Sequence, residues 1–240
     1  ASKDDEFILL KTQADVADFV ARRNGQPNLL GAYLGIEGLH SLEGDIDNLT
    51  VLFEAGYRMM GPTHFFDNEL GGSAHGESNA GLTDFGKEVI ATMDAKGILI
   101  DVAHASPAMI DDILALTTRP VLVSHTGIKG TCDNPRNLSD AHIDAIAEGG
   151  GLIGIGLWKT AVCGTDANAP VAAMKYVADR VGIDHVALGS DFDGATNAAF
   201  DVTGLPLITE ALLAAGFGTD DIAKIMGGNI RDFLLKYLPT

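Results

Sequence analysis

Five residues that can bind metals or move protons follow apolar segments of the sequence in a recurring way. The run LIDVAHAS ends in His104, and PVLVSHTG, 21 positions later, ends in His125. Similar runs are followed by Glu37 in LGIEG, by His64 in MGPTH and by Asp191 in ALGSDFDG. Imidazole and carboxylate groups that meet in one place suit zinc or a similar divalent ion. The pattern therefore predicts a metal site, provided that the fold brings these run ends together.

The surrounding sequence predicts elements that would do so. Apolar runs alternate with amphipathic segments, which is typical of a parallel sheet covered by helices. In a parallel barrel the carboxyl ends of all strands face one mouth, where the active site lies. The predicted strands are 29–38, 57–64, 98–104, 120–125, 151–157 and 185–194; the predicted helices are 45–56, 82–97, 106–117, 138–150, 169–182 and a helical tail that includes 219–238.

The number of strands bears on the fold class. A closed (β/α)8 barrel needs eight strands, and six are predicted. An open dinucleotide-binding sheet would fit six, but no G-x-G-x-x-G follows a strand. We therefore predict an α/β fold, a TIM-like metallohydrolase barrel with about six of its eight strands present. It forms a single, incomplete domain over residues 1–240 with helices at its C-terminal end.

Composition excludes some classes of partner. The 240 residues are 46% hydrophobic, and 33 acidic against 16 basic residues give a formal charge of -17. Nucleic acids and anionic membranes would repel such a surface. No apolar stretch is long enough to span a bilayer.

The two cysteines, Cys132 and Cys163, each follow a predicted strand, and neighbouring strands of a barrel place their following loops side by side. We expect the two to be close, and favour two buried free thiols over a disulfide. A disulfide would be typical of an exported protein. The compartment, cytoplasmic, periplasmic or extracellular, stays open.

Two further residues have two interpretations each. Arg136, in NPRN, either binds a substrate carboxylate through two parallel hydrogen bonds or is an ordinary surface arginine. Asp193 is best explained as a turn residue before Gly194, whereas Asp191 suits metal binding and proton transfer. The sequence contains no H-E-x-x-H, so a helix-borne zinc protease site is excluded.

Together, GIEGLH, LTDFGKEVI, LIDVAHAS, SHTG, NPRNLSD, GSDFDG and MGGNIRDF resemble the membrane (renal) dipeptidase family of zinc metallopeptidases, from about Leu30 onward. The resemblance implies a (β/α)8 barrel with a binuclear zinc centre that hydrolyses dipeptides through a metal-bridging hydroxide. It also implies that Glu37 bridges both ions, that His104 and His125 complete one ligand set, and that Asp191 binds the other ion and transfers a proton.

The same resemblance assigns the substrate contacts. His64 would hold the scissile carbonyl or its oxyanion, and Arg136 would bind the C-terminal carboxylate of the dipeptide. Side-chain preference, stereochemical preference and homo-oligomerisation are left open by the sequence.

The sequence departs from the family in one respect. The family's first strand carries H-x-D, which supplies two ligands of the second zinc ion, and no H-x-D precedes Glu37 here. These residues are then part of a longer polypeptide, are completed by a second chain, or form a shortened, non-catalytic relative. We expect at most one well-formed metal site, and little activity, from the 240 residues alone.

Another barrel metallohydrolase, acting on lactones, phosphotriesters or cyclic amides, is the main enzymatic alternative. Many of these enzymes bridge their metals with a carboxylated lysine at a strand end. No lysine ends a predicted strand here, and Glu37 takes the bridging position, which favours the dipeptidase.

Overall fold

A computed structural model describes residues 7–240 and shows short strands alternating with helices. The strands are β1 (Phe7–Leu9), β2 (Leu30–Ala32), β3 (Leu34–Glu37), β4 (Tyr57–Gly61), β5 (Leu99–Ile100), β6 (Leu122–Thr126), β7 (Leu152–Ile155) and β8 (Val186–Leu188). The helices are α1 (Gln13–Arg23), α2 (Asp47–Ala55), α3 (Asp84–Lys96), α4 (Pro107–Leu116), α5 (Asp140–Glu148), α6 (Lys159–Val162), α7 (Asn168–Val181), α8 (Leu205–Ala214), α9 (Thr219–Ala223) and α10 (Asn229–Tyr237).

The described residues divide into two compact units, residues 7–119 with 231–240, and residues 120–230. The first unit contains the pair β1–β2 and the sheet β3–β4–β5, and the second contains the sheet β6–β7–β8. Every strand pair in these sheets is parallel, as the alternation of strands and helices predicts. Within residues 7–240 none of the three sheets closes on itself.

In the first unit, α3 covers β5, the strand that precedes His104, and α4 packs on α3. Val89 and Met93 of α3 and Met109 and Ile113 of α4 are fully buried. The two helices pack on each other, and α3 packs on β5. This apolar layer holds β5 in place because its removal from water stabilises the packed arrangement.

The second unit is organised around β7, whose four residues are all buried. Helices α5 and α7 pack against β7 and against each other. Their buried faces carry Ile143, Ile146, Met174 and Val177 at helical spacing. A strand that is apolar on both faces is the expected centre of a covered parallel sheet.

Local end signals in the sequence give the predicted helix boundaries. The Thr83 hydroxyl accepts a hydrogen bond from the Gly86 N–H at the start of α3, and Gly97 ends α3 with a φ of 75°. Ser106 caps α4, whose first turn contains Pro107. The predicted helices 82–97 and 106–117 are confirmed, because caps of this kind depend on neighbouring residues alone.

Other elements differ from the sequence prediction. Strand β1 and helix α1 were not predicted; α1 begins with a capping box between Thr12 and Asp15, a signal that was available in the sequence. The predicted strand 29–38 is interrupted at Tyr33, where β2 gives way to β3 in a different sheet. The predicted helix 219–238 is broken at Gly227, whose φ of 154° is incompatible with a continuous helix.

No helix among the described residues combines the length and the hydropathy that a membrane crossing requires.

The two cysteines form a disulfide in the second unit. Cys132 and Cys163 are bonded, with their Cα atoms 5.4 Å apart. The expectation that they are close is confirmed, and the preference for two free thiols is wrong. Loop geometry decides such a bond, and the sequence does not show that Cys163 ends α6 in a left-handed conformation that turns it toward Cys132.

Removing this disulfide should lower the stability of the protein markedly. The bond joins residues 31 positions apart, so the loss of loop-closure entropy predicts a cost of about 3–4 kcal/mol. For a chain of this size we expect the unfolding midpoint to fall by roughly 10 °C in a Cys132→Ser/Cys163→Ser variant. Thermal unfolding with and without reductant measures this, and an identical midpoint in both conditions would contradict the bond.

Candidate metal centre

The first unit brings one carboxylate and two imidazoles together. Glu37 is the last residue of β3, and its Oε2 lies 3.2 Å from Nε2 of His64. Its other oxygen, Oε1, lies 3.6 Å from Nε2 of His104. The ligand atoms of these three residues lie within 4.8 Å of one another, which is close enough for one ion to contact all of them.

Two backbone features place His64 against Glu37. Strand β4 pairs with β3 and ends at Gly61, so that His64 follows three residues beyond the strand end. Gly38, directly after Glu37, has a φ of 81°, and a Cβ on it would lie 3.0 Å from the His64 Cβ. A larger residue at position 38 would therefore be strained, and its Cβ would crowd both the His64 side chain and the His40 ring, whose Nδ1 would lie 2.7 Å away.

His104 lies in a turn, which corrects the prediction that it ends a strand. Strand β5 stops at Ile100, and the buried Asp101 carboxylate then accepts the Ala103 N–H at 3.0 Å. His104 itself has a φ of 63°, a left-handed conformation that is uncommon for a residue with a side chain. Its ring is 7% exposed, so the imidazole reaches Glu37 from the protein interior.

The second unit contains His125, near the end of β6, and Arg136, in the loop that follows β6. His125 lies in β6, and the Ser124 hydroxyl is 2.9 Å from its Nδ1, which restrains the ring. The Arg136 guanidinium donates to the His125 carbonyl at 2.8 Å and to the Thr126 hydroxyl at 3.3 Å. Arg136 is half-buried and is held in place by these two bonds.

Asp191 follows β8 by three residues and has a left-handed φ of 56°. Its carbonyl accepts the N–H of Gly194 at 3.2 Å and the hydroxyl of Thr196 at 3.0 Å. Its carboxylate and the imidazole of His125 offer ligand atoms within 4.8 Å of each other. Asp193 is exposed, in agreement with its interpretation as a turn residue.

The donor chemistry of both units fits a borderline divalent ion. The first unit provides one carboxylate and two imidazole nitrogens, and the second provides one of each. Mixed nitrogen and oxygen donors of this kind suit zinc, whereas an all-oxygen set would suit calcium or magnesium.

Sequence reasoning missed two residues beside the first unit's cluster. The His75 ring lies 5.3 Å from the His104 ring, and the Phe65 ring lies between 4.3 and 5.6 Å from those of His64, His75 and His104. Both belong to the Gly- and Asn-rich segment 65–81. Its composition indicates a loop but not where the loop folds back, so no local signal could have placed His75 there.

The comparison with known families decides the identity. The sequence profile of the family described as membrane dipeptidase (peptidase family M19) matches residues 2–233. The chain belongs to the membrane dipeptidase family. The match covers both units and includes all six predicted site residues. The resemblance read from the sequence motifs is therefore confirmed at the level of the family.

Two curated dipeptidases are similar to this member of the family. Dipeptidase aclJ of Aspergillus oryzae is 32% identical over 227 residues, which are 90% of this chain and 54% of that protein. Dipeptidase verJ of Clonostachys rogersoniana is 29% identical over 236 residues, which are 94% of this chain and 59% of that protein. The chain thus spans little more than half the length of either.

A solved structure is also similar. The metallopeptidase of Rhodobacter sphaeroides, liganded with a phosphinate mimic of the dipeptide L-Ala-D-Ala, is 25% identical and superposes with a TM-score of 0.85. The superposition covers 98% of this chain and 70% of that one. The α/β fold of the chain is therefore similar to that of this metallopeptidase.

Proposed function

We propose that the protein is a zinc-dependent dipeptidase that hydrolyses the amide bond of dipeptides. The observation that carries this proposal is the contact of the Glu37 carboxylate with two imidazoles, in a chain that belongs to the membrane dipeptidase family. A half-buried carboxylate between two histidines has little structural purpose of its own, and clusters of this composition are typical of catalytic metal sites.

We assign the metal ligands by adding two residues of the second unit to Glu37 and His104 of the first. Glu37 would bridge two zinc ions, His104 and His125 would complete the ligand set of one ion, and Asp191 would bind the other. When bound, the ions would lower the pKa of a water molecule and polarise the scissile carbonyl. The ligand atoms of His125 and Asp191, close together in the second unit, support their inclusion in one site.

The side chains themselves supply proton transfer and orientation. Asp191 would take the proton released by the attacking water and deliver it to the leaving amine, which must be protonated to depart. His64 would donate a hydrogen bond to the carbonyl oxygen as negative charge develops there. Arg136, already ordered by the backbone of β6, would pair with the C-terminal carboxylate and so orient the dipeptide.

This assignment requires the two units to belong to one (β/α)8 barrel domain over residues 1–240. The uniformly parallel sheets and the alternation of strands and helices support such a barrel. Its carboxyl strand ends would then face one mouth and carry all six residues of the site.

The disulfide indicates the kind of cellular compartment in which the protein works. Disulfides persist in oxidising environments and are rare in the cytosol. The bond between Cys132 and Cys163 therefore favours an exported protein.

The proposal predicts metal-dependent hydrolysis of dipeptides. When a further segment or a second chain supplies the H-x-D ligands, purified protein loaded with Zn²⁺ should release free amino acids from a panel of dipeptides that includes L-Ala-D-Ala, because the site would combine a bridging carboxylate with a carboxylate-binding arginine. Removal of the metal with 1,10-phenanthroline should abolish the reaction, and added Zn²⁺ should restore it. Metal content per chain, read against the intact mass, shows whether one or two ions bind.

Control substrates separate this function from the alternatives. Lactones, phosphotriesters and cyclic amides should be poor substrates, because they lack the carboxylate that Arg136 would bind. Hydrolysis of one of these, without dipeptide hydrolysis, would identify another barrel metallohydrolase. A protein of verified mass that binds no Zn²⁺ and hydrolyses none of the substrates would contradict the proposed enzyme.

A further inference from the structure

The Asp67 carboxylate organises the loop that follows His64. Its Oδ1 accepts the Ser73 N–H at 2.8 Å, and its Oδ2 accepts the N–H groups of Glu77 at 3.0 Å and Ser78 at 2.9 Å. These bonds, that of Ser73 first, lower the pKa of Asp67. The loop wraps so tightly that a Cβ on Gly76 would overlap the carboxylate. Segment 67–78 is therefore built around one ionised side chain.

The same segment holds the backbone of both imidazoles. The Ser73 hydroxyl, adjacent to the Asp67 contact, donates to the His64 carbonyl. The next N–H, that of Ala74, donates to the His104 carbonyl at 2.7 Å. Two neighbouring residues whose position depends on Asp67 thus reach the two histidines that contact Glu37.

His104 needs such support more than most residues. Its left-handed φ of 63° is rare for a residue with a side chain and persists only where the surroundings hold it. Its carbonyl accepts bonds from Ala74 on the segment and from the Thr63 hydroxyl, at 3.3 Å. If the segment moves, the peptide of His104 loses the shorter of these two bonds and its ring is free to leave Glu37.

We propose that Asp67 is a positioning residue that sets the geometry of His64 and His104 around Glu37, and thereby the metal affinity of the site. Asp67 acts through the segment 67–78. The inference rests on the proposed metal centre and adds to it a residue to which neither the sequence motifs nor the donor geometry assigns a role.

The test is a titration of the purified, metal-free protein with Co²⁺ alone, followed by the visible absorption of the bound ion. Asp67→Ala removes all three bonds and should weaken Co²⁺ binding by about 10–100-fold, the usual effect of losing an outer-shell partner. It should also change the Co²⁺ absorption spectrum, because the imidazole of His104, a ligand in the proposed assignment, shifts relative to the ion. Asp67→Asn is nearly isosteric and keeps one acceptor oxygen, so it should recover part of the affinity.

Asp94 provides a matched control in the same unit. Its Oδ2 accepts the Thr118 N–H at 3.0 Å and the Thr118 hydroxyl at 2.8 Å, so it also ties two segments together, but neither segment contains a residue of the site. Asp94→Asn should lower the unfolding midpoint while leaving Co²⁺ affinity and spectrum unchanged. Gly76→Ala, which displaces the Asp67 carboxylate without removing its charge, should weaken Co²⁺ binding as Asp67→Ala does.

The outcomes distinguish this inference from the proposed function. If the unaltered protein binds Co²⁺ and Asp67→Ala binds it with the same affinity and spectrum, the positioning role is refuted and the metal centre stands. Equal weakening in Asp94→Asn would show a general effect of stability and would also refute it. If the unaltered protein binds no Co²⁺, the metal centre itself fails, and the inference fails with it.

Discussion

Replacing Glu37 with glutamine is expected to remove metal binding and to lower kcat/KM for dipeptide hydrolysis by about three orders of magnitude. Glutamine keeps the shape of the side chain but cannot bring negative charge to two ions. The Lewis-acid contribution of such ions amounts to several kcal/mol, and about 1.4 kcal/mol corresponds to a factor of ten in rate. The contacts of Glu37 with His64 and His104 make it the centre of the site's first half.

Metal analysis and steady-state kinetics on the same preparation measure this effect. Glu88→Gln is the control, because Glu88 is an exposed glutamate of α3 in the same unit and lies outside the cluster. It should bind metal and hydrolyse dipeptides as the unaltered protein does. A Glu37→Gln variant with unchanged metal content and rate would remove the basis for the bridging assignment.

Replacing Asp191 with asparagine is expected to lower kcat by about two to four orders of magnitude, the usual contribution of a general acid–base group. Asparagine tolerates the left-handed backbone that Asp191 adopts, so the turn after β8 should survive the change. The carbonyl bonds to Gly194 and Thr196 involve the backbone and also remain. The lost functions would then be proton transfer and one charged ligand of the second ion, and metal content per chain, measured together with kcat and KM, distinguishes the two.

Asp193→Asn is the matched control for this change. Asp193 lies two positions further along the same loop, is exposed and carries the same charge. Its replacement should leave kcat unchanged, whereas loss of activity in both variants would indicate a general effect of charge in the loop. If Asp191→Asn kept full activity, another group would have to carry the proton to the leaving amine.

The sequence by itself determined the features that depend on neighbouring residues. Helix α3 begins at the Thr83 cap and ends at Gly97, and α4 begins at Ser106 with Pro107 in its first turn. Such caps act over three or four residues, so a single stretch of sequence contains the whole signal. Parallel pairing followed from the alternation of apolar runs with amphipathic helices, because a helix between two strands returns the chain so that both strands run in the same direction.

The motifs also determined the family and the set of candidate residues, because side chains that can bind metal at the ends of apolar runs are visible without coordinates. The side chains that these residues contact were not visible in the sequence. The resemblance grouped Glu37 with His104 and His125 and gave His64 a substrate role; within the first unit the structure places His64, like His104, beside Glu37, at 3.2 Å. That contact depends on the register of β3 with β4 and on the space left by Gly38.

Only the tertiary structure decided how the backbone positions the side chains of the site. The apolar run before His104 predicts a strand of seven residues, but β5 has two, because the Asp101 carboxylate bonds to Ala103 and turns the chain. The disulfide between Cys132 and Cys163 and the bonds of Asp67 to residues six to eleven positions away are of the same kind. Contacts of this type join segments that local propensity treats as independent, so their geometry exists only once the chain has folded.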